Sequence, residues 1–181
     1  MVLHCAAGFD LRPAEPTDAA TVARWMRAEH VRVWWDQAWT DERWAAELAG
    51  QAAGEHSLPC LASYDGEPVG YLELYRVRLD VLAAYYDYDE HDWGVHVAIG
   101  EPARTGAGLG RRLLSAIAEA LFAADPCCHR VVAEPDVRNT ASVRAFAAAR
   151  FERVADVALP GKTAALMVRT RRPSGTTEDD R

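Results

Sequence analysis

V-H-V-A-I-G-E-P-A-R-T-G-A-G-L-G-R-R-L-L, residues 95–114, changes its character twice. Val95, Val97 and Ile99 alternate with His96 and Ala98, the period of a strand with two unlike faces. Gly100-Glu101-Pro102 ends that alternation, and Gly106, Gly108 and Gly110 open a loop. A helix follows, with Arg111 and Arg112 in its first turn. A strand, a glycine loop and a helix start in this order converge several backbone N–H groups and a helix dipole on one anion. A pyrophosphate is the natural guest, although such glycines also serve simply to turn a chain.

The neighbouring residues separate the kinds of nucleotide loop. A P-loop ends in Gly-Lys-Ser/Thr, whereas Gly110 is followed by Arg111 and Arg112. A Rossmann fingerprint follows the first strand of its domain. Here several strands come first. Phe9 to Arg12 reads as a strand, and Pro16-Thr17-Asp18 caps a helix expected to run to about His30. Thr40, with Asp41 and Glu42 behind it, caps a second helix. Leu58 to Tyr64 and Pro68 to Tyr75 are strands joined at Asp65-Gly66, the strongest hairpin signal in the chain. Residues 77–90 carry three tyrosines and several acids without a clean period, and read as a loop or broken helix over the site.

Strands at Asp92 to Ile99 and Arg130 to Glu134 flank the glycine loop and its helix, which stops at Asp125-Pro126. A helix from Asn139 to Ala149 and strands near Phe151 to Val157 and Ala164 to Thr170 complete the order. The expectation is a single α/β domain over residues 1–172 with a mixed sheet. Residues 173–181, P-S-G-T-T-E-D-D-R, read as a disordered polar tail.

A chain of 181 residues, half of them hydrophobic, suits one well-buried domain. Its formal charge of −7, with no segregated basic face, argues against nucleic acid or an anionic membrane as partner. No apolar run approaches the roughly eighteen residues of a membrane span, and Met1 to Gly8 lacks the character of a signal peptide, so a cytoplasmic location is expected. Cys5, Cys60, Cys127 and Cys128 have neither zinc nor disulfide spacing and read as reduced packing thiols. No ligand cluster calls for a metal.

Three groups of residues can carry chemistry. His96 points away from the apolar face of its strand and has the side chain best suited to proton removal near neutrality; the bland alternative is a structural hydrogen bond. Asp136 follows Pro135, where the strand must leave a neighbour, and can bind a cation, orient an imidazole, or merely cap the approach to the next helix. Trp34 and Trp35, ending in Asp36, offer flat apolar surface to a methylene chain that carries an amine. Trp25 and Trp44 read as core, as do Val143, Phe146 and Ala147 on the late helix.

The loop resembles the coenzyme A loop of the GCN5-related N-acetyltransferases (GNAT), Gln/Arg-x-x-Gly-x-Gly/Ala. Gly108-Leu109-Gly110 fit, Thr105 stands where Gln or Arg is usual, and Arg104 sits one place early. Asn139, Ser142 and Phe146 are similar to the family's Asn-x-x-Ser/Ala-x-x-x-Tyr/Phe helix, with Phe146 in place of the tyrosine that often protonates the leaving thiolate and Arg150 in place of a glycine. The early Trp-Trp, Trp93-Gly94-Val95-His96 and Ala133-Glu134-Pro135-Asp136-Val137-Arg138-Asn139 resemble the acyltransferases of hydroxamate siderophore biosynthesis, of the aerobactin, desferrioxamine and mycobactin types.

That resemblance implies the GNAT fold, a mostly antiparallel mixed sheet flanked by helices, with its fourth and fifth strands splayed. It implies acetyl-CoA or another acyl-CoA as co-substrate, without a metal. It places Val97, Ile99, Arg104, Thr105, Gly106, Ala107, Gly108, Leu109, Gly110, Arg111, Asn139, Ser142 and Phe146 along the cofactor. It makes His96 and Asp136 the catalytic pair, His96 as base, and Trp34, Trp35, Glu73 and Glu134 the candidate acceptor contacts. The implied acceptor is a small amine or N-hydroxyamine derived from lysine, ornithine or a diamine, handled by a monomer or homodimer. Aminoglycoside 6'-N-acetyltransferases, which commonly carry an acid at the place of His96, protein acetylation, and a non-catalytic CoA-binding module are the alternatives.

Overall fold

The structure, a computed structural model, describes residues 3–5 and 8–172. The expected tail from residue 173 lies outside the described residues. Eight strands form one sheet: β1 (Leu3–Cys5), β2 (Phe9–Pro13), β3 (Ser57–Tyr64), β4 (Glu67–Arg76), β5 (Trp93–Ile99), β6 (Arg130–Ala133), β7 (Glu152–Leu159) and β8 (Lys162–Thr170). Their order across the sheet is β1-β2-β3-β4-β5-β6-β8-β7. Every neighbouring pair is antiparallel except β5 and β6. That one parallel pair follows from the helix that must carry the chain from β5 back to β6.

The helices are α1 (Ala19–Arg27), α2 (Glu29–Arg32), α3 (Asp41–Ala53), α4 (Leu109–Ala124) and α5 (Thr140–Ala148). On one face of the sheet, α4 and α5 bury Leu113, Ile117 and Phe146 against Leu72, Leu74, Val95 and Val131. On the other, α1 and α3 bury Trp25, Met26, Trp44 and Leu48 against Leu61, Tyr71 and Ala98. Adjacent strand residues thus serve opposite layers, as alternation in Val95–Ile99 requires. Val95 belongs to the first core and Ala98 to the second.

The Asp65-Gly66 turn takes φ of +51° and +83° at its two residues, the left-handed pair of a type I′ hairpin. Thr40 caps α3 by accepting from Arg43 N at 3.3 Å, and Asn139 caps α5 by accepting from Ser142 N at 3.1 Å.

Several expectations need correction. The first helix does not run unbroken to His30: Ala28 is extended, with ψ 135°, and separates α1 from α2. His30 is thereby turned to place Nε2 2.8 Å from the Ile99 carbonyl oxygen. The stretch 77–90, by contrast, is the broken helix or loop expected, with two short 3-10 turns, Val77–Leu79 and Val81–Ala84. Ala147 faces outward, while Phe146 and Ala149 fill the core. β1 has too short a pattern to stand out in the sequence, and pairs with β2 at the sheet margin.

Candidate active site

β5 and β6 are in register only at Trp93↔Val131 and Gly94↔Val132. Beyond that point β6 follows β8: Ala165 N donates to Pro135 O at 2.8 Å, Val137 N donates to Thr163 O at 3.0 Å, and Asp136 bridges Ala164. The Pro135 carbonyl faces β8, so the N–H that Pro135 lacks is one that would also have faced β8, and the β6–β8 pairing continues past it through Val137. The result is a wedge that opens between the two strands, with the edge of β5 from Val95 to Ile99 facing into it.

The glycine loop lies beyond the far end of that strand. Gly106 and Gly108 have φ of +75° and +80°, and a Cβ added at either would meet nothing within 4 Å. The first helical bond of α4 is donated by Arg112 N to Gly108 O at 3.2 Å, which leaves the N–H groups of Leu109, Gly110 and Arg111 ahead of the ladder. No side chain caps this helix start. Residues 102–108 and Arg111 are exposed. A conformationally open loop at an uncapped N-terminus of a sixteen-residue helix fits a pyrophosphate. Thr105 turns its hydroxyl inward, donating to Pro102 O at 2.7 Å.

At the throat of the wedge stands His96. Register pairs it with Glu73 across β4 and β5, and Glu134 follows β6. His96 Nε2 lies 2.5 Å from Glu134 Oε1, and Nδ1 lies 3.3 Å from Glu73 Oε2. Each carboxylate has further donors. Tyr75 OH donates to Glu134 Oε2 at 2.7 Å, and Lys162 Nζ sits 3.6 Å from Oε1 while donating to the Glu134 carbonyl at 2.6 Å. Glu73 Oε1 accepts from Tyr71 OH at 2.9 Å and from Gln51 Nε2 at 3.0 Å. Gly94 makes this packing possible, since a Cβ there would fall 2.0 Å from the Tyr75 ring.

The charges set the proton affinities. Burial alone would lower the His96 pKa, but the Glu134 and Glu73 carboxylates outweigh it and raise it to about 10. Burial would raise Glu134, but the His96 imidazolium, Lys162 and the Tyr75 hydroxyl hold it down at about 2. Glu73 is likewise lowered against the burial effect, by His96, Gln51 and Tyr71. The imidazole side chain keeps 35% of its surface open, so the cluster is reachable.

Trp35 closes one side, its ring 5.6 Å from Tyr71 and 6.0 Å from His96. The structure thus brings together His96, Glu73, Glu134 and Trp35. It does not bring Asp136 to the imidazole, because that carboxylate accepts from Arg138 N at 2.8 Å and from the Arg138 guanidinium at 2.6 Å. Trp34 is exposed at the surface. Phe146 is buried with its ring against Phe151 at 5.1 Å. Tyr75, Tyr71, Gln51 and Lys162 escaped the sequence reading. The tyrosines could have been found from their shared alternation with Glu73 on β4, but nothing at the turn after Pro160 marks Lys162.

A cavity of about 910 Å³ lies elsewhere, lined by Phe122, Arg150, Phe151, Arg169, Arg171 and other residues at the ends of α4, β7 and β8, away from His96. Among the described residues no group of three or more His, Cys, Asp or Glu has the arrangement of a metal site, and no helix is long and apolar enough to cross a membrane.

Residues 15–159 match the acetyltransferase (GNAT) domain family. The lysine N-acyltransferase MbtK of Mycobacterium tuberculosis (strain ATCC 25618 / H37Rv) is 40% identical over 136 residues, covering 75% of this chain and 65% of that protein. The chain therefore spans slightly less than two thirds of that relative's length. The N(6)-hydroxylysine O-acetyltransferase of Escherichia coli is 27% identical over 164 residues, 90% of this chain and 52% of that protein. Among solved structures, the aminoglycoside acetyltransferase AAC(6')-Ib in complex with coenzyme A superposes with a TM-score of 0.78 at 27% identity, covering 90% of this chain and 95% of that one.

Proposed function

The chain belongs to the GNAT acetyltransferase family, and from that premise we propose that it transfers an acyl group from acyl-CoA to the side-chain amine, or N-hydroxyamine, of lysine, ornithine or a related diamine, in the making of a hydroxamate siderophore or similar product. The observation that carries the reading is the wedge between β5 and β6, which joins an uncapped glycine loop at one end to the His96–Glu134–Glu73 cluster at its throat.

The residues fit a coenzyme A thioester. Gly106 to Arg111 hold the pyrophosphate, Val97 and the Ile99 N–H offer the backbone edge to the pantetheine arm, and Asn139 and Ser142 flank it from α5, with Phe146 buried on Phe151. The thioester supplies an activated acyl carbon. The protein's own groups hold the acceptor: Trp35 covers its methylene chain, and Glu73 and Glu134 lie where its nitrogen must arrive. Asp136, fixed by Arg138, keeps the strand end turned away from β5.

A second reading, acetylation of an aminoglycoside, is favoured by the structural likeness to AAC(6')-Ib. Release of free thiol from acetyl- and succinyl-CoA, measured against N-hydroxylysine, N-hydroxycadaverine, lysine and kanamycin, tests both. The lysine-type acceptors are expected to turn over with the higher kcat/KM. Preference for kanamycin overturns the first reading in favour of the second, and silence across the panel with coenzyme A bound overturns both.

A further inference from the structure

Both ring nitrogens of His96 face carboxylate oxygens, Glu134 Oε1 at 2.5 Å and Glu73 Oε2 at 3.3 Å. A carboxylate only accepts, and a neutral imidazole carries a single N–H. The two contacts are both hydrogen bonds only if the ring holds two protons or if one acid holds its own. The second arrangement is disfavoured on each side. Glu134 already takes the Tyr75 hydroxyl and lies beside the Lys162 ammonium, and Glu73 takes Tyr71 and Gln51. Donors of this kind stabilise the ionised carboxylate. The other polar neighbours do not alter this: Glu47 bonds Gln51 from α3, His56 pairs with Asp80 beyond the Tyr75 ring, and Trp35 is uncharged. Two anions, Glu73 and Glu134, therefore face two cations, His96 and Lys162.

We propose that His96 works from its protonated form, as the acid that protonates the departing sulfur, and that Glu134 is the base that receives the proton of the attacking nitrogen. The proposal rests on the acyl-transfer reading above. It supplies the acid that Phe146, a hydrocarbon packed on Phe151, does not provide. The acceptor nitrogen attacks the thioester carbon. Attack makes the nitrogen cationic and therefore acidic enough to give its proton to the weakly basic Glu134 carboxylate, and as the C–S bond breaks the His96 Nε2 proton passes to sulfur. Glu134 then returns its proton to Nε2 across the bond that already joins them. The sum is an N-acyl product and free coenzyme A thiol, with no proton gained or lost. A site already balanced in charge receives a neutral nucleophile more readily than an alkylammonium, which favours N-hydroxyamines, largely uncharged near neutrality.

The test reads the ring directly and then its role. In uniformly ¹⁵N-histidine-labelled protein without donor, with the signal assigned by His96→Gln, the His96 ring is expected to be doubly protonated at about pH 8, where an ordinary histidine is neutral. With N-hydroxylysine as acceptor, kcat is expected to hold across neutral pH and to fall as pH rises through the His96 titration. In Glu134→Gln both the titration and that falling limb move to lower pH, and kcat drops at least about 100-fold. A singly protonated ring at about pH 8, or a kcat that climbs as His96 loses its proton, overturns the proposal. Thiol release with a neutral ring sinks the acid role alone. No thiol release at any pH, with donor bound, sinks the acyl-transfer reading and the acid role together.

Discussion

Arg150 holds φ at +68°, a conformation that suits glycine and that the family's pattern assigns to glycine at this place. The turn it occupies closes α5, with Phe151 N donating to Phe146 O at 3.1 Å. Arg150→Gly is expected to raise stability by about 1 kcal/mol, seen as a higher denaturant midpoint at unchanged slope. Gly94 is the opposite case, because its missing side chain is the space that the Tyr75 ring fills. Gly94→Ala is expected to push the ring off Glu134 and lower kcat roughly 100-fold, with the Kd for coenzyme A unchanged by calorimetry. Of these site residues, His96 was legible because strand alternation fixes its face. Glu73 and Glu134 entered only as acceptor contacts through the family resemblance, and their bonds to His96 were not legible, since pairing of Glu73 with His96 depends on a register between β4 and β5 that the 77–91 connection leaves undetermined in the sequence.

The segment between β4 and β5 is fastened by one buried charge. Asp92, 1% exposed, accepts from Arg130 Nη2 at 2.8 Å, Arg130 Nε at 2.9 Å and Tyr86 OH at 2.7 Å, which ties the segment to the first residue of β6. Asp92→Ala leaves the half-buried Arg130 with only the Asp87 carbonyl at 3.2 Å and the Tyr86 ring, and is expected to cost about 2 kcal/mol, with faster proteolysis within residues 77–91 as the local readout. Elements with local chemistry were readable in the sequence: the Asp65-Gly66 hairpin, the Thr40 cap and the Asp125-Pro126 stop. The break at Ala28 was not, because nothing in its own side chain demands it. It accompanies a long-range contact, His30 with the Ile99 carbonyl. The departure of β6 from β5 was not legible from Pro135: the donor it lacks lies on the β8 side, where pairing nevertheless continues, and the strand leaves β5 instead.

For the molecule as a whole, the same pair of shifted groups bounds the pH range of stability. Glu134 is lowered, so its contribution is complete above its unfolded pKa and fades as pH falls toward about 2. His96 is raised, so its contribution is complete below its unfolded pKa and fades as pH rises toward about 10. The melting temperature is expected to decline on the alkaline side across that interval, and His96→Gln is expected to flatten the decline. The mixed α/β layout was legible from element order, because a helical crossover and a tight hairpin impose parallel and antiparallel pairing respectively. The wedge has a last consequence. Beyond Gly94 the β5 edge has no strand beside it, and apart from the Ile99 carbonyl held by His30 it is a strand edge inside the protein rather than at its margin, a template for any extended chain that reaches it. Without its donor the protein is expected to be the more prone to self-association on storage, and addition of coenzyme A to slow amide deuterium uptake along β5 as the ligand takes the place of an absent strand.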